Sequence, residues 1–268
     1  MITLDNINKY YGDRQVIQNL SLHVNKGDIY GLVGLNGAGK TTIFKTLLGL
    51  SHFQSGQISI NGRFKSEDLA SERQKIGFFI GKNFFDYLSA EDNLRYYCRL
   101  KQLDCATEVP RVLQLVGLKG VRAPFKSFSM GMKQRLGIAN ALLGSPEIII
   151  LDEPVNGLDP QGIIDIRQLI KKLNQEQGIT FIVSSHILGE LEHTATRFGI
   201  LDQGKIIKEI EQDDLQSLGS IIEIPDNFYA SALSLLEVNN IPVLTSGQKK
   251  RSLEDYYFDL IGGQHELH

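Results

Sequence analysis

The sequence predicts an α/β protein: a sheet core, an antiparallel β subdomain beside it, an inserted helical subdomain and a small C-terminal α+β appendix. Three observations predict it. The run Gly34-Leu35-Asn36-Gly37-Ala38-Gly39-Lys40-Thr41-Thr42 fits the phosphate-binding pattern G-x-x-x-x-G-K-[ST] and stands between a strand-like and a helix-like segment. The apolar run Ile148-Ile149-Ile150-Leu151 ends in Asp152-Glu153-Pro154, as a buried parallel strand does when it delivers carboxylates to the ligand edge of an open sheet. From about 82 to 145 a helical pattern interrupts the alternation of strands and helices.

Taken in order, strands are expected at about 2–7, 16–24, 28–33 and 57–60. The short turns Lys26-Gly27-Asp28 and Asn61-Gly62 bring these strands close together, which predicts the antiparallel layer. A helix at 40–48 follows the glycine-rich run, then a helix at 67–73 and a strand at 76–80. Helices at 90–101, 108–116 and 130–143 make the insertion. The core resumes with a strand at 148–151, a helix at 161–176, a strand at 179–183, a helix at 187–194 and strands at 198–202 and 205–210. After Asp214 the pattern restarts with Ile221-Ile222-Glu223-Ile224, Ala230 to Val238, Ile241 to Leu244 and Ser252 to Ile261, with Ser252 as an N-cap. The expected division is 1–215 and 216–268.

The 268 residues carry a net charge of −3, so there is no basic field for nucleic acid. Cys98 and Cys105 have no metal-type spacing and read as reduced, incidental thiols. Met1-Ile2-Thr3-Leu4-Asp5 starts directly into strand-like sequence rather than a secretory signal. No apolar run approaches the ~18–20 residues that span a bilayer. A membrane role is therefore expected to come through a partner.

The chemistry follows from the two strand ends. In a phosphate-binding loop the glycines let backbone N–H groups curl around phosphate oxygens, and the helix N-terminus adds partial positive charge. Lys40 is placed to reach the β- and γ-phosphates and Thr41 to ligate Mg²⁺. Asp152 is placed to hold the same ion, and Glu153 to orient or deprotonate an attacking water.

Phe128-Ser129-Met130-Gly131-Met132-Lys133-Gln134-Arg135 resembles the signature motif of the ATP-binding cassette (ABC) family, Leu-Ser-Gly-Gly-Gln followed by x-Gln-Arg. Ser129, Gly131, Gln134 and Arg135 match, whereas Phe128, Met130 and Met132 depart. Asn156-Gly157-Leu158-Asp159-Pro160 resembles the family's D-loop. Ser184-Ser185-His186 resembles its switch histidine, which makes His186 a γ-phosphate sensor. Lys9-Tyr10-Tyr11-Gly12 resembles its adenine-stacking loop, with Tyr11 as the stacking ring. These motifs occur in family order over roughly residues 2 to 210. Together with Ser252-Leu253-Glu254-Asp255-Tyr256-Tyr257-Phe258 they most resemble bacterial ATPases of bacitracin-, lantibiotic- and multidrug-type exporters.

The resemblance implies a RecA-like ABC ATPase core that binds ATP and Mg²⁺. The implied ATP contacts are Tyr11, Gly34, Leu35, Asn36, Gly37, Ala38, Gly39, Lys40, Thr41, Thr42, Ser129, Gly131 and Asp159. Thr41 and Asp152 hold the metal, and Glu153 and His186 carry catalysis. A second ATPase subunit, with a homodimer expected, and an integral membrane permease are the implied partners, at the cytoplasmic face of the membrane. A soluble cassette ATPase acting as an assembly or scaffold factor is the alternative. The pattern breaks at one place. Where the family carries a glutamine after a strand, Ile76-Gly77-Phe78-Phe79-Ile80-Gly81-Lys82-Asn83 puts Gly81 by direct counting, with Asn83 the nearest residue bearing a side-chain carbonyl.

Overall fold

In the computed structural model, residues 1–81, 84–214, 222, 224–243 and 246 are described. The chain divides into two units, Met1–Asp214 and Leu215–His268.

The first unit holds two sheets. The smaller is antiparallel, in the order β2-β1-β4, from β1 (Ile2–Tyr11), β2 (Arg14–Val24) and β4 (Ser55–Ile60). The larger has six strands in the order β5-β6-β7-β3-β8-β9. Here β3 is Ile29–Val33, β5 Ile76–Phe79, β6 Ile148–Leu151, β7 Thr180–Ser185, β8 Arg197–Asp202 and β9 Lys205–Glu211. The first five run parallel, and β9 folds back antiparallel on β8.

The parallel strands are apolar throughout because both faces are covered. Successive side chains point to opposite faces. Ile149 and Leu151 of β6 join one core, with Val33 and Phe181, against the inserted helices. Ile148 and Ile150 join the other, with Leu32, Ile43 and Phe44, against the antiparallel layer. Truncating such a side chain, as in Ile149→Ala, costs about 2–5 kcal/mol.

On the first face lie α3 (Ala90–Leu100), α4 (Cys105–Leu115) and α5 (Met130–Ala141), followed after β6 by α6 (Pro160–Gln177). Each begins at a polar cap that accepts a hydrogen bond from a free N–H of the first turn. Ser89 caps α3, Asp104 caps α4, Ser129 caps α5, and Asp159 caps α6 ahead of Pro160. The remaining helices of this unit are α1 (Lys40–Leu47), α2 (Ser66–Gln74) and α7 (Leu188–Glu192).

Several boundaries differ from the sequence reading, among them the start of β2 at Arg14, the start of β4 at Ser55 and the end of α5 at Ala141. The first strand runs to Tyr11, not to residue 7, because Asn6 takes a positive φ of 51° and shifts the register between Leu4 and Ile7. That irregularity breaks the alternation on which the reading relied. The fourth helix begins at Cys105 rather than 108, because Asp104 caps it and Pro110 is carried inside it. The strand expected at 179–183 extends through Ser184 and Ser185.

In the second unit, α8 (Tyr229–Val238) follows a single turn of tighter helix at Asp226–Phe228. The Tyr229 hydroxyl donates to Ser246 Oγ at 3.0 Å. The helix start expected at Ser252 lies outside the described residues, as do Ile221, Glu223, Leu244, Lys82 and Asn83.

Candidate active site

The glycine-rich run leaves β3 and turns directly into α1. Gly39 is the helix N-cap, with φ 113°, and its position lies close beneath the Val16 carbonyl. Only glycine takes that conformation without strain. No side chain caps α1, so the N–H groups of its first turn have no side-chain partner, the arrangement that receives an anion. The loop is pinned from both sides. Gly34 N–H donates to Ser185 O at 3.3 Å, and Gly204 N–H to Ala38 O at 3.0 Å. The resulting cleft, of about 280 Å³, is lined by Asn36, Gly37, Lys40, Thr41 and Thr42, with Val16, Glu153 and Asn156 at its walls.

Lys40 is 6 % exposed. Its ammonium donates to the carbonyls of Gly34 (2.6 Å) and Leu35 (3.2 Å) and lies 3.2 Å from Glu153 Oε1. Leu35 itself turns outward and serves through its backbone. The other Glu153 oxygen, Oε2, is 2.5 Å from His186 Nδ1. Glu153 has φ 53°, an uncommon conformation for a residue with a side chain, and it sits directly after β6. The carboxylate is thereby held between one cation and one imidazole.

Asp152 is placed by register. Its N–H donates to Phe79 O at 3.0 Å, across the end of β5. Its carboxylate accepts from Thr41 Oγ1 at 2.7 Å and from Ser184 Oγ at 2.7 Å. Ser184 Oγ also accepts from Glu153 N–H at 2.9 Å, so one serine fixes both acidic residues. The hydroxyl of Thr41 and the carboxylate of Asp152 form a hard-oxygen donor pair, the type that suits Mg²⁺ completed by substrate phosphates and water. Among the described residues no cluster of three His, Cys, Asp or Glu forms a metal cage.

Tyr11, the last residue of β1, reaches the segment that follows α1. Its hydroxyl lies 3.3 Å from Ser51 Oγ. That hydrogen bond holds the phenol below its ordinary pKa, with Lys9, Thr42 and Lys45 acting in the same direction. Lys9 Nζ lies 4.5 Å from the ring centroid, and the ring is 50 % exposed.

The structure therefore brings together Tyr11, the run 34–42, Asp152, Glu153 and His186. Ser129, Gly131 and Asp159 do not line the cleft. Ser129 and Asp159 are exposed caps of α5 and α6, and the Gly131 backbone packs beside Leu158. Arg135 secures this second group, with an ion pair to Asp165 at 2.7 Å and a hydrogen bond to Val116 O at 3.1 Å. Gly81 follows β5 with φ 74°, so a side chain at this position is strained. The sequence reading gave Ser184, Val16 and Asn156 no place among the site residues. Ser184 had a signal: a polar residue closing the apolar strand run Phe181-Ile182-Val183, two positions before His186.

Comparison with known proteins gives the family. The ABC transporter family model matches residues 17–156. The chain is 35% identical to the bacitracin transport ATP-binding protein of Enterococcus faecalis, over 98% of this chain and 97% of that protein. It is 43% identical to a lantibiotic transport ATP-binding protein of Streptococcus pyogenes, over 81% of this chain and 94% of that protein. Among solved structures, a dimeric bacterial ABC transporter cassette matches with a TM-score of 0.70 at 28% identity, over 79% of this chain and 99% of that one. A dimeric ATP-binding cassette in a post-hydrolysis state, bound to ADP and Pi, matches with the same TM-score at 27% identity.

Proposed function

Because this chain belongs to the ABC transporter family and is an ATP hydrolase of that type, we propose that it drives an exporter for a peptide antibiotic or drug-like substrate through a separate membrane permease. The relatives named for bacitracin and lantibiotic transport support that substrate class. No helix among the described residues is long and apolar enough to cross a membrane, so the permease is a second protein in this reading.

The observation that carries the reading is the position of Glu153, between Lys40 and His186 and one residue from the carboxylate bonded to Thr41. ATP places its phosphates against the loop 34–42, and Lys40 exchanges Glu153 for phosphate oxygens. Thr41 and Asp152 would hold Mg²⁺, which would offset phosphate charge. Glu153, released from Lys40 and oriented by His186, accepts the proton of the attacking water. Tyr11 stacks the base. One chain supplies half of each composite site, and Ser129, Gly131 and Asp159 face the nucleotide held by a second copy. The N-terminus of α5, capped by Ser129, suits a γ-phosphate there.

The permease contact is assigned to the aromatic segment Phe84 to Tyr97. Its rings divide into two groups. Phe84 packs inward, against Phe79, Tyr97 and Phe125. Tyr87 and Tyr96 are exposed, at 73 % and 44 %, and both lie against Phe85. Asn93, fully buried, holds the loop by accepting from Phe85 N–H and donating to the carbonyls of Phe85, Leu88 and Ser89. A fixed loop with an outward aromatic edge suits a docking surface.

Glu153→Gln tests the reading. The amide keeps the shape and cannot accept a proton. ATP turnover is expected to fall at least ~10²-fold with nucleotide binding retained. Near-normal turnover removes Glu153 as the base.

A further inference from the structure

Lys9 is a lysine whose charge the site above does not use. It lies in β1 two residues before Tyr11 and is only 7 % exposed. Among the described residues its ammonium has no carboxylate and no hydrogen-bond acceptor, and its one recorded contact is the face of the Tyr11 ring, 4.5 Å from the centroid. The neighbouring charge is of the same sign, since Lys45 also acts on the Tyr11 phenol. The apolar stem is covered while the charged head comes to the ring face, so the cation–π contact is where this charge is directed.

The same ring is fixed at a second point, by its hydroxyl against Ser51 Oγ. A phenol held at its tip and covered on one face keeps a single plane. Tyr11 is still 50 % exposed, so the residue keeps surface that Lys9 and Ser51 do not cover. Tyr10 has no such support: its hydrogen bonds are made by its backbone, with the Gln54 side chain.

We propose that Lys9 is a positioning residue for nucleotide recognition, which presets the Tyr11 ring by a cation–π contact so that its exposed surface receives the base of ATP. The contact is made before the nucleotide arrives, so the ring loses little freedom on binding. Lys9 acts through the base and contributes nothing to the phosphates. The inference rests on the base-stacking role of Tyr11 proposed above.

The test is equilibrium binding of ATP and of inorganic tripolyphosphate, which has no base, to the full chain. Lys9→Met keeps the buried stem and removes the charge. It is expected to weaken ATP about three- to tenfold, the scale of one cation–π contact, and to leave tripolyphosphate unchanged. Lys9→Arg keeps a cation over the ring and is expected to restore ATP affinity. In a Tyr11→Ala background Lys9→Met is expected to have no further effect. Equal losses for ATP and tripolyphosphate would make Lys9 a phosphate ligand and overturn the proposal. Unchanged ATP affinity in Lys9→Met, with a loss in Tyr11→Ala, would overturn it while sparing the stacking role. No loss in Tyr11→Ala itself would remove the stacking role and the proposal with it. If Lys9→Met fails to fold, the ratio of ATP to tripolyphosphate affinity in Lys9→Arg decides: a ratio lowered tenfold, despite a retained cation, contradicts the proposal.

Discussion

Lys40 Nζ lies 3.2 Å from Glu153 Oε1, so the cation meant for phosphate and the carboxylate meant for water hold one another within a single chain. Both side chains are largely buried, at 6 % and 20 % exposure. A buried pair of this kind is broken at a cost unless another charge replaces the lost partner. In the proposed function the γ-phosphate of ATP is such a replacement for Lys40, and its arrival is expected to free Glu153.

Removing the cation removes the main charge-assisted contact to the phosphates. Lys40→Ala is expected to weaken ATP by at least about tenfold, the lower end for a hydrogen bond to a charged group. Calorimetric titration of the full chain measures it. Unchanged affinity would leave the backbone loop as the whole of the phosphate site.

Thr41 and Asp152 share one hydrogen bond, at 2.7 Å, and are assigned one metal ion. Thr41→Ala is expected to raise the Mg²⁺ concentration needed for half-maximal ATPase activity, and Thr41→Ser to restore it, because the hydroxyl is the ligand. The same Mg²⁺ requirement in the alanine variant would take Thr41 out of the metal site.

Tyr11→Ala is expected to weaken ATP by ~1–2 kcal/mol, the scale of one base-stacking contact. Tyr10→Ala is expected to leave it unchanged. The reverse pattern would shift the stacking ring by one residue.

Asp86 is exposed beside Tyr87, at the aromatic edge assigned to the permease. Asp86→Lys is expected to abolish stimulation of ATPase activity by the permease and to leave basal activity within twofold, as for a charge altered at a docking surface rather than at the chemistry. A variant that loses basal activity together with its folded structure would return these residues to a packing role.

The loop 34–42 was legible because its pattern fixes residues at set positions and a strand and helix flank it. Asp152 and Glu153 were legible because four apolar residues deliver them. The reach of the first strand to Tyr11 was not, because the positive φ at Asn6 and the register shifts that follow hide the period-two pattern. Ser184 was read only as part of the Ser184-Ser185-His186 run that follows the strand. Its hydrogen bonds to Asp152 and Glu153 cross from β7 to the end of β6, and such pairings between distant segments leave no periodic trace. At Gly81 the sequence showed only a missing side chain. The positive φ adds that the backbone itself favours glycine, so Gly81→Gln would introduce strain along with its amide.

The central claim is that ATP closes two copies of this chain around composite sites, with Glu153 as the base. Sedimentation of Glu153→Gln with ATP and Mg²⁺ tests it most directly. The account predicts a species of twice the 30.0 kDa chain mass, which returns to the single-chain mass when ATP is withdrawn or when Ser129 is replaced by a bulky residue. A variant that binds ATP and stays at the single-chain mass would contradict it.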